Sequence, residues 1–175
     1  MMVPMFYVCS SGNEQLVRYL MEQEADVNKV SVNGVTPLFN ACLTENTDLV
    51  RYLVECGVDI NKPCSNGKTS LFNACLTGNV NLIRYLVEKG ADINKKSNHG
   101  ATPLFYACSS ENEHLVRYLV EQGADVNKQS TSGQTPLFIA FQNGNEDLIR
   151  YLVENGADVN KENENSETPL FIACK

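Results

Sequence analysis

Between Thr102 and Gly123 the apolar residues fall at helical spacing twice over. In the first segment, "TPLFYACSS", Leu104, Ala107 and Cys108 recur at i, i+3, i+4 and share one helical face. Thr102 stands where a side chain can cap that helix, and Pro103 follows at a first position, where the missing N–H costs nothing. The second segment, "NEHLVRYLVEQG", gathers Leu115, Val116, Leu119 and Val120 on one stripe and leaves Arg117 and Glu121 outside it. It stops at Gly123, which suits a left-handed position just past a helix. The next stretch, "ADVNKQSTSGQ", is polar and contains Gly133, so it reads as an extended excursion closed by a tight turn. The predicted unit is two short antiparallel helices and a hairpin. Neither helix is long enough to be stable alone, so such units must stack side by side and bury each other.

The pattern returns every thirty-three residues. "RYL" begins at Arg18, Arg51, Arg84, Arg117 and Arg150, and an Asn-Lys pair at Asn28, Asn61, Asn94, Asn127 and Asn160. Gly34, Gly67, Gly100 and Gly133 keep the same register, as do Phe6, Phe39, Phe72, Phe105, Phe138 and Phe171. So do Cys9, Cys42, Cys75, Cys108 and Cys174. The period leaves no linker or second domain over. A single repeat domain, 1–175, is expected, with copies near 1–30 (partial), 31–63, 64–96, 97–129, 130–162 and 163–175 (truncated).

"TPLFNAC", "TSLFNAC", "TPLFYAC", "TPLFIAF" and "TPLFIAC" mark the second to sixth copies, and every copy but the truncated last carries "GADVN" or a close variant. On these motifs the whole chain resembles the ankyrin repeat family, whose helix pairs start near T-P-L-H-x-A. The resemblance implies an all-α repeat solenoid, a curved elongated array of stacked helix–turn–helix–hairpin units. Departures from the motif are local. The motif histidine is Phe in every copy, so apolar packing is expected where that histidine would hydrogen-bond; Ser70 replaces the proline of the third copy. Glu24 replaces the helix-ending glycine of the first, a side chain at positive φ costing about 1 kcal/mol and expected to leave that copy less well ordered. The closing "ETPLFIACK" is no polar cap, which suggests a segment of a longer array, monomeric but open to end-to-end contact there.

Charge narrows the partners. A net charge of −7 and a pI near 4.8 argue against nucleic acid and acidic membranes, which reward a basic face. No apolar stretch approaches the roughly 18 residues of a membrane span, and "MMVPMFYVCSSG" lacks the basic start of a signal peptide. Seven cysteines, an odd number, and no N-x-S/T acceptor fit a reducing cytoplasmic or nuclear setting rather than secretion.

The candidate chemistry reduces to structure. Helices of adjacent copies pack about 8–10 Å apart, whereas a disulfide needs Cα atoms within roughly 7 Å and zinc needs sulfurs at about 2.3 Å. Recurring cysteines therefore read as small buried side chains, and Phe141 takes their place in the fifth copy. Cys56 and Cys64 lie outside the series, and Cys64 is the expected site of thiol reactivity. "CSNGKTS" ends like a phosphate-binding loop but lacks its first glycine, and it aligns with the hairpin turn "VNGVTP" of another copy. His99 and His114 have no Cys/His pattern or Ser/Asp partner in sequence. Glu55, Glu88, Glu121 and Glu154 each follow an Arg by four residues, a helix-surface pairing. No catalytic, cofactor or metal site is expected.

The informative positions change from copy to copy within a constant frame. At the hairpin tips they are Val32, Asn33, Ser65, Asn66, Asn98, His99, Thr131, Ser132, Glu164 and Asn165, followed after the turn by Val35, Lys68, Ala101, Gln134 and Glu167. On the first helices they are Ser10, Ser11, Leu43, Thr44, Leu76, Thr77, Ser109, Ser110, Gln142 and Asn143, with Asn40, Asn73, Tyr106 and Ile139 one turn earlier. The resemblance implies that tips and first helices line the side that grips another protein. Leu43 and Leu76 are expected to form a small apolar patch beside Val35, with Tyr106 as the aromatic candidate. The function implied is a non-catalytic protein-interaction scaffold. Its rivals are the targeting or substrate-recruiting arm of a larger enzyme or ubiquitin-ligase adaptor, and a mechanical spacer with no dedicated partner.

Overall fold

The computed structural model describes residues 5–44, 46–110 and 112–173. Cys174, the last of the cysteine series, lies outside them. Eleven helices and no strand occur among the described residues, in two compact units, the first ending at Asp92 and the second starting at Ile93.

The first unit holds three helix pairs: α1 (Met5–Ser10) with α2 (Glu14–Glu22), α3 (Pro37–Ala41) with α4 (Thr47–Glu55), and α5 (Ser70–Thr77) with α6 (Val80–Glu88). First helices stack on first helices, α1 on α3 and α3 on α5. The second unit repeats the scheme with α7 (Pro103–Ser109), α8 (Glu113–Glu121), α9 (Pro136–Gln142), α10 (Glu146–Glu154) and α11 (Pro169–Ala173), α9 lying between α7 and α11. The cores are those the spacing predicts: Leu38, Cys42, Leu49, Leu53, Leu71 and Leu86 in the first, Leu104, Cys108, Leu115, Leu119, Leu137 and Leu152 in the second, all fully buried. The stripe of α8 differs in one place. Val120 is half-buried and Tyr118 takes the buried position.

Asparagine starts every second helix. Asn13, Asn46, Asn79, Asn112 and Asn145 each accept the N–H of the leucine three residues on, at 2.9–3.1 Å, so one orphan donor per helix is satisfied. The first helices are less uniform. Thr36 accepts the N–H of Phe39 at 3.0 Å, but Thr69, Thr102 and Thr135 occupy the cap position without a side-chain cap bond. The predicted capping role of Thr102 is therefore corrected to a backbone one. The hydroxyls of Thr69 and Thr135 are buried with no hydrogen-bond partner, as are those of Ser70 and Ser97. Phe72 and Phe138, which fill the motif-histidine positions in those two copies, are almost fully buried, so apolar packing does replace a polar group there.

Neighbouring copies are tied on the second-helix side by two recurring devices. Asn61 donates its side-chain N–H to the carbonyl of Gly90 at 2.8 Å and accepts the N–H of Asp92 at 2.7 Å. Asn94 does the same to Gly123 and Asp125, and Asn127 to Gly156 and Asp158. The arginine of one "RYL" lies over the tyrosine of the next: Arg18 is 3.9 Å from the Tyr52 ring centre, Arg51 4.4 Å from that of Tyr85, and Arg117 4.2 Å from that of Tyr151. Two arginine ion pairs run toward the N-terminus, Arg18 to Glu14 and Arg117 to Glu113, with Nε to oxygen at 2.7 Å in each. The expected Arg117–Glu121 pairing is thus replaced by one with the preceding turn, where the acid also favours the helix start.

Candidate functional site

Each tip is a five-residue turn closed by its own backbone. The N–H of Ser31, Cys64, Ser97, Ser130 and Asn163 donates to the carbonyl four residues on, at 2.9–3.0 Å, and the residue before that acceptor sits at positive φ. That residue is glycine except at Ser166, which takes φ 56°. At Gly100 and Gly133 a second constraint acts, because a Cβ would lie 2.8 Å from the Thr131 nitrogen or the Asn163 Cα. Adjacent tips touch there. Ser65 donates to the Asn33 carbonyl at 2.8 Å, Thr131 to that of His99 at 2.8 Å, and Glu164 to that of Ser132 at 3.1 Å. The side chains of Val32, Asn33, Ser65, Asn66, Asn98, His99, Thr131, Ser132, Glu164 and Asn165 are all exposed.

The first-helix candidates divide. Leu43, Leu76, Ser109 and Gln142 are exposed, and Val35, Lys68, Tyr106 and Gln134 are half-buried. Others hydrogen-bond within the chain or are buried. Asn40 donates to the Phe6 carbonyl and Asn73 to that of Phe39, each at 2.7 Å, and Asn73, Ala101 and Ile139 are buried. The hydroxyls of Ser11, Thr44, Thr77 and Ser110 donate to carbonyls three residues back, at 2.7–3.0 Å, and Asn143 donates to the Cys108 carbonyl at 3.2 Å. Ser11, Thr77 and Asn143 are nonetheless exposed.

In each unit some of the candidates line a hollow between tip and first helix. In the first unit Val32, Asn33, Val35 and Asn40 line about 210 Å³ together with Phe6, Tyr7 and Ser31. In the second, His99, Tyr106, Ser109, Thr131, Ser132 and Gln134 line about 420 Å³ with Ala101, Phe105 and Ser130. Leu43 borders a separate hollow with Thr44, Thr77 and Asn79, while Val35 lines the first; Leu76, expected in one apolar patch with Leu43 beside Val35, is exposed like Leu43. Tyr7 is the residue that sequence reasoning missed. It is 63% exposed, its ring centre is 4.5 Å from that of Phe6, and it stands in the register of Asn40, Asn73, Tyr106 and Ile139, which would have disclosed it.

Charge separates the first helices from the second. No charged residue occurs in α1, α3, α5, α7, α9 or α11, and the five tips hold only Lys68, Glu164 and Glu167. The second helices carry the Arg–Glu pairs, and a hollow there is lined by Thr47, Arg51, Asn79, Asn81, Arg84, Tyr85 and Glu88.

The cysteines behave as packing. Cys9, Cys42, Cys75 and Cys108 are fully buried; burial pushes the thiols of Cys9 and Cys108 up to about 12 and raises those of Cys42 and Cys75 as well. Cys56 and Cys64 are half-buried and free. The "CSNGKTS" stretch is a tip, with Gly67 at φ 75° and Cys64 donating to the Lys68 carbonyl, and it leads into the start of α5.

Short helix pairs joined by turn-closed tips and stacked at constant register define a helical repeat protein. The family model of ankyrin repeats, three copies long, matches the chain over residues 2–64, 61–130 and 115–175, and the chain belongs to the ankyrin repeat family. No curated protein matches it. Ankyrin repeats are in general protein–protein interaction modules and are typically non-catalytic. Among the described residues no helix is long and apolar enough to cross a membrane.

Proposed function

We propose that the chain is a non-catalytic scaffold that grips another protein through its hairpin tips and the exposed positions of its first helices. One observation supports this reading: in each unit some of the copy-variable side chains, Val32, Asn33 and Val35 in the first and His99, Tyr106, Ser109, Thr131, Ser132 and Gln134 in the second, line a hollow between tip and first helix. The half-exposed free thiols of Cys56 and Cys64 suit a reducing compartment, the cytoplasm or nucleus, and the working form is a monomer. The test is affinity capture from native extract by the full chain and by Val32→Asp, Leu76→Glu and Tyr106→Glu variants. The reading expects a specific partner to be lost by these variants and retained by Val153→Glu on α10; a capture profile unaltered by all three removes it.

A further inference from the structure

The arginines of the repeated "RYL" do not all stand in the same surroundings. Glu14, Glu113 and Glu146 precede Arg18, Arg117 and Arg150 by four residues, whereas Thr47 and Val80 hold that place before Arg51 and Arg84. Among the described residues Arg18 and Arg117 pair with that acid, while Arg51 forms no ion pair and lies over the Tyr85 ring, 4.4 Å from its centre. Arg51 and Arg84, both exposed, line one hollow of about 480 Å³ on α4 and α6. We infer that this hollow takes one carboxylate side chain, aspartate or glutamate, from a peptide segment of a partner. The site lies on the second helices of the first unit and goes beyond the proposed tip face, on which it does not rest.

Charge selects the occupant. The charged groups of the lining are two guanidinium groups and the Glu88 carboxylate, which leave one positive charge there in a chain of net charge −7. Asp48 and Glu55, the other acids of α4, are outside the lining. One carboxylate balances that excess. A phosphate monoester, at about −1.5 to −2, would exceed it and stand against Glu88. Stacking on Tyr85 occupies the face of the Arg51 guanidinium and leaves its N–H groups at the edge, in the fork that pairs with a carboxylate. The ring is held in turn, being buried with its hydroxyl donating to the Arg51 carbonyl at 3.5 Å, so the guanidinium is positioned before a ligand arrives. The rest of the lining suits the chain that carries the acid. Thr47 and Asn81 make no side-chain hydrogen bond among the described residues, and Asn79 uses its amide oxygen to cap α6, which leaves its nitrogen to donate. Hydroxyl and amide groups of this kind bond a peptide backbone.

NMR titration of the isotope-labelled full chain tests this, with a capped glycine–serine peptide carrying one central glutamate, its glutamine and phosphoserine counterparts, and inorganic phosphate. The glutamate peptide is expected to move the Arg51 Nε–H and Asn81 side-chain amide signals, saturating by about 20 mM, and the glutamine peptide to bind at least about ten-fold more weakly. Arg51→Gln should weaken the glutamate peptide about ten-fold, Arg51→Lys less, and Arg117→Gln, whose arginine is paired with Glu113, not at all. Because Arg51→Gln also gives up the Tyr85 contact, Arg84→Gln is the second variant, with the same loss expected. Affinity should fall several-fold between about 0.05 and about 0.5 M salt. Shifts that are absent at about 20 mM, equal for the glutamine peptide, or untouched by both arginine variants overturn the inference. Tighter binding of the phosphoserine peptide or of inorganic phosphate overturns it too, since the hollow would then prefer a dianion. None of these outcomes bears on the tip face, whose failure is read from its own variants.

Discussion

The side-chain amide of Asn127 donates to the carbonyl oxygen of Gly156 at 2.8 Å, across the junction between two copies. The same amide oxygen accepts the N–H of Asp158 at 2.8 Å, so one residue satisfies both a helix-end carbonyl and the first loop donor of its neighbour. Asn127→Ala removes both bonds from a partly exposed site and should cost about 1–2 kcal/mol by urea unfolding. Asn127→Asp keeps the acceptor and loses the donor, so its cost should fall between those of Ala and the native residue.

The first-helix threonines should respond in opposite directions to one substitution. Thr69 and Thr135 bury hydroxyls with no partner, so Thr69→Val or Thr135→Val should raise stability by about 1 kcal/mol. Thr36→Val deletes the 3.0 Å bond to the Phe39 N–H and should lower it by about 1 kcal/mol. Unfolding midpoints of the three variants, measured side by side, decide whether a cap bond or a buried orphan sets the sign.

Backbone strain at the end of α2 is also testable. Glu24 is held at φ 59° where the later copies have glycine, so Glu24→Gly should stabilise by about 1 kcal/mol. Gly123 adopts φ 89° at the matching position with no atom near a built Cβ, so Gly123→Ala should cost about the same, from conformation alone.

The buried thiols predict an alkaline limit. Cys9 and Cys108 stay protonated in the fold up to about pH 12, whereas in the unfolded chain they ionise near their ordinary value of about 9. The folded state thus holds protons that the unfolded state releases. Stability is unaffected below about pH 9 and falls as pH rises through that window, by up to about 1.4 kcal/mol per pH unit for each thiol. Burial raises Tyr85 and Tyr151 in the same direction. Cys108→Ala should flatten the pH dependence. At neutral pH a thiol reagent should label Cys56 and Cys64 in the native protein and reach Cys9, Cys42, Cys75 and Cys108 only on unfolding.

The stacked helix pairs were legible because their determinants are local and repeated: proline at a helix start, glycine at positive φ, and apolar residues at i, i+3 and i+4. The caps of the second helices went unread, although an asparagine precedes every leucine stripe. What the letters did not disclose depends on neighbours. Asn40 and Asn73 look like variable surface residues until the Phe carbonyl of the preceding copy appears opposite each amide. Thr36 and Thr102 are the same residue in the same motif, and only Thr36 turns its hydroxyl to the helix end. Of the candidate site, the tips were read directly, because a closed turn leaves its side chains outward. The first-helix positions needed the structure to separate those that are buried or bonded within the chain from those that stay exposed.

The most direct measurement is site-specific photo-crosslinking of the full chain with its captured partner. A benzophenone side chain is placed at His99 or Val32 on the tips, and at Tyr19 or Val153 on the second helices, all exposed. The account predicts covalent adducts with the partner from His99 and Val32 and none from Tyr19 and Val153. Adducts from the second helices with none from the tips would contradict it.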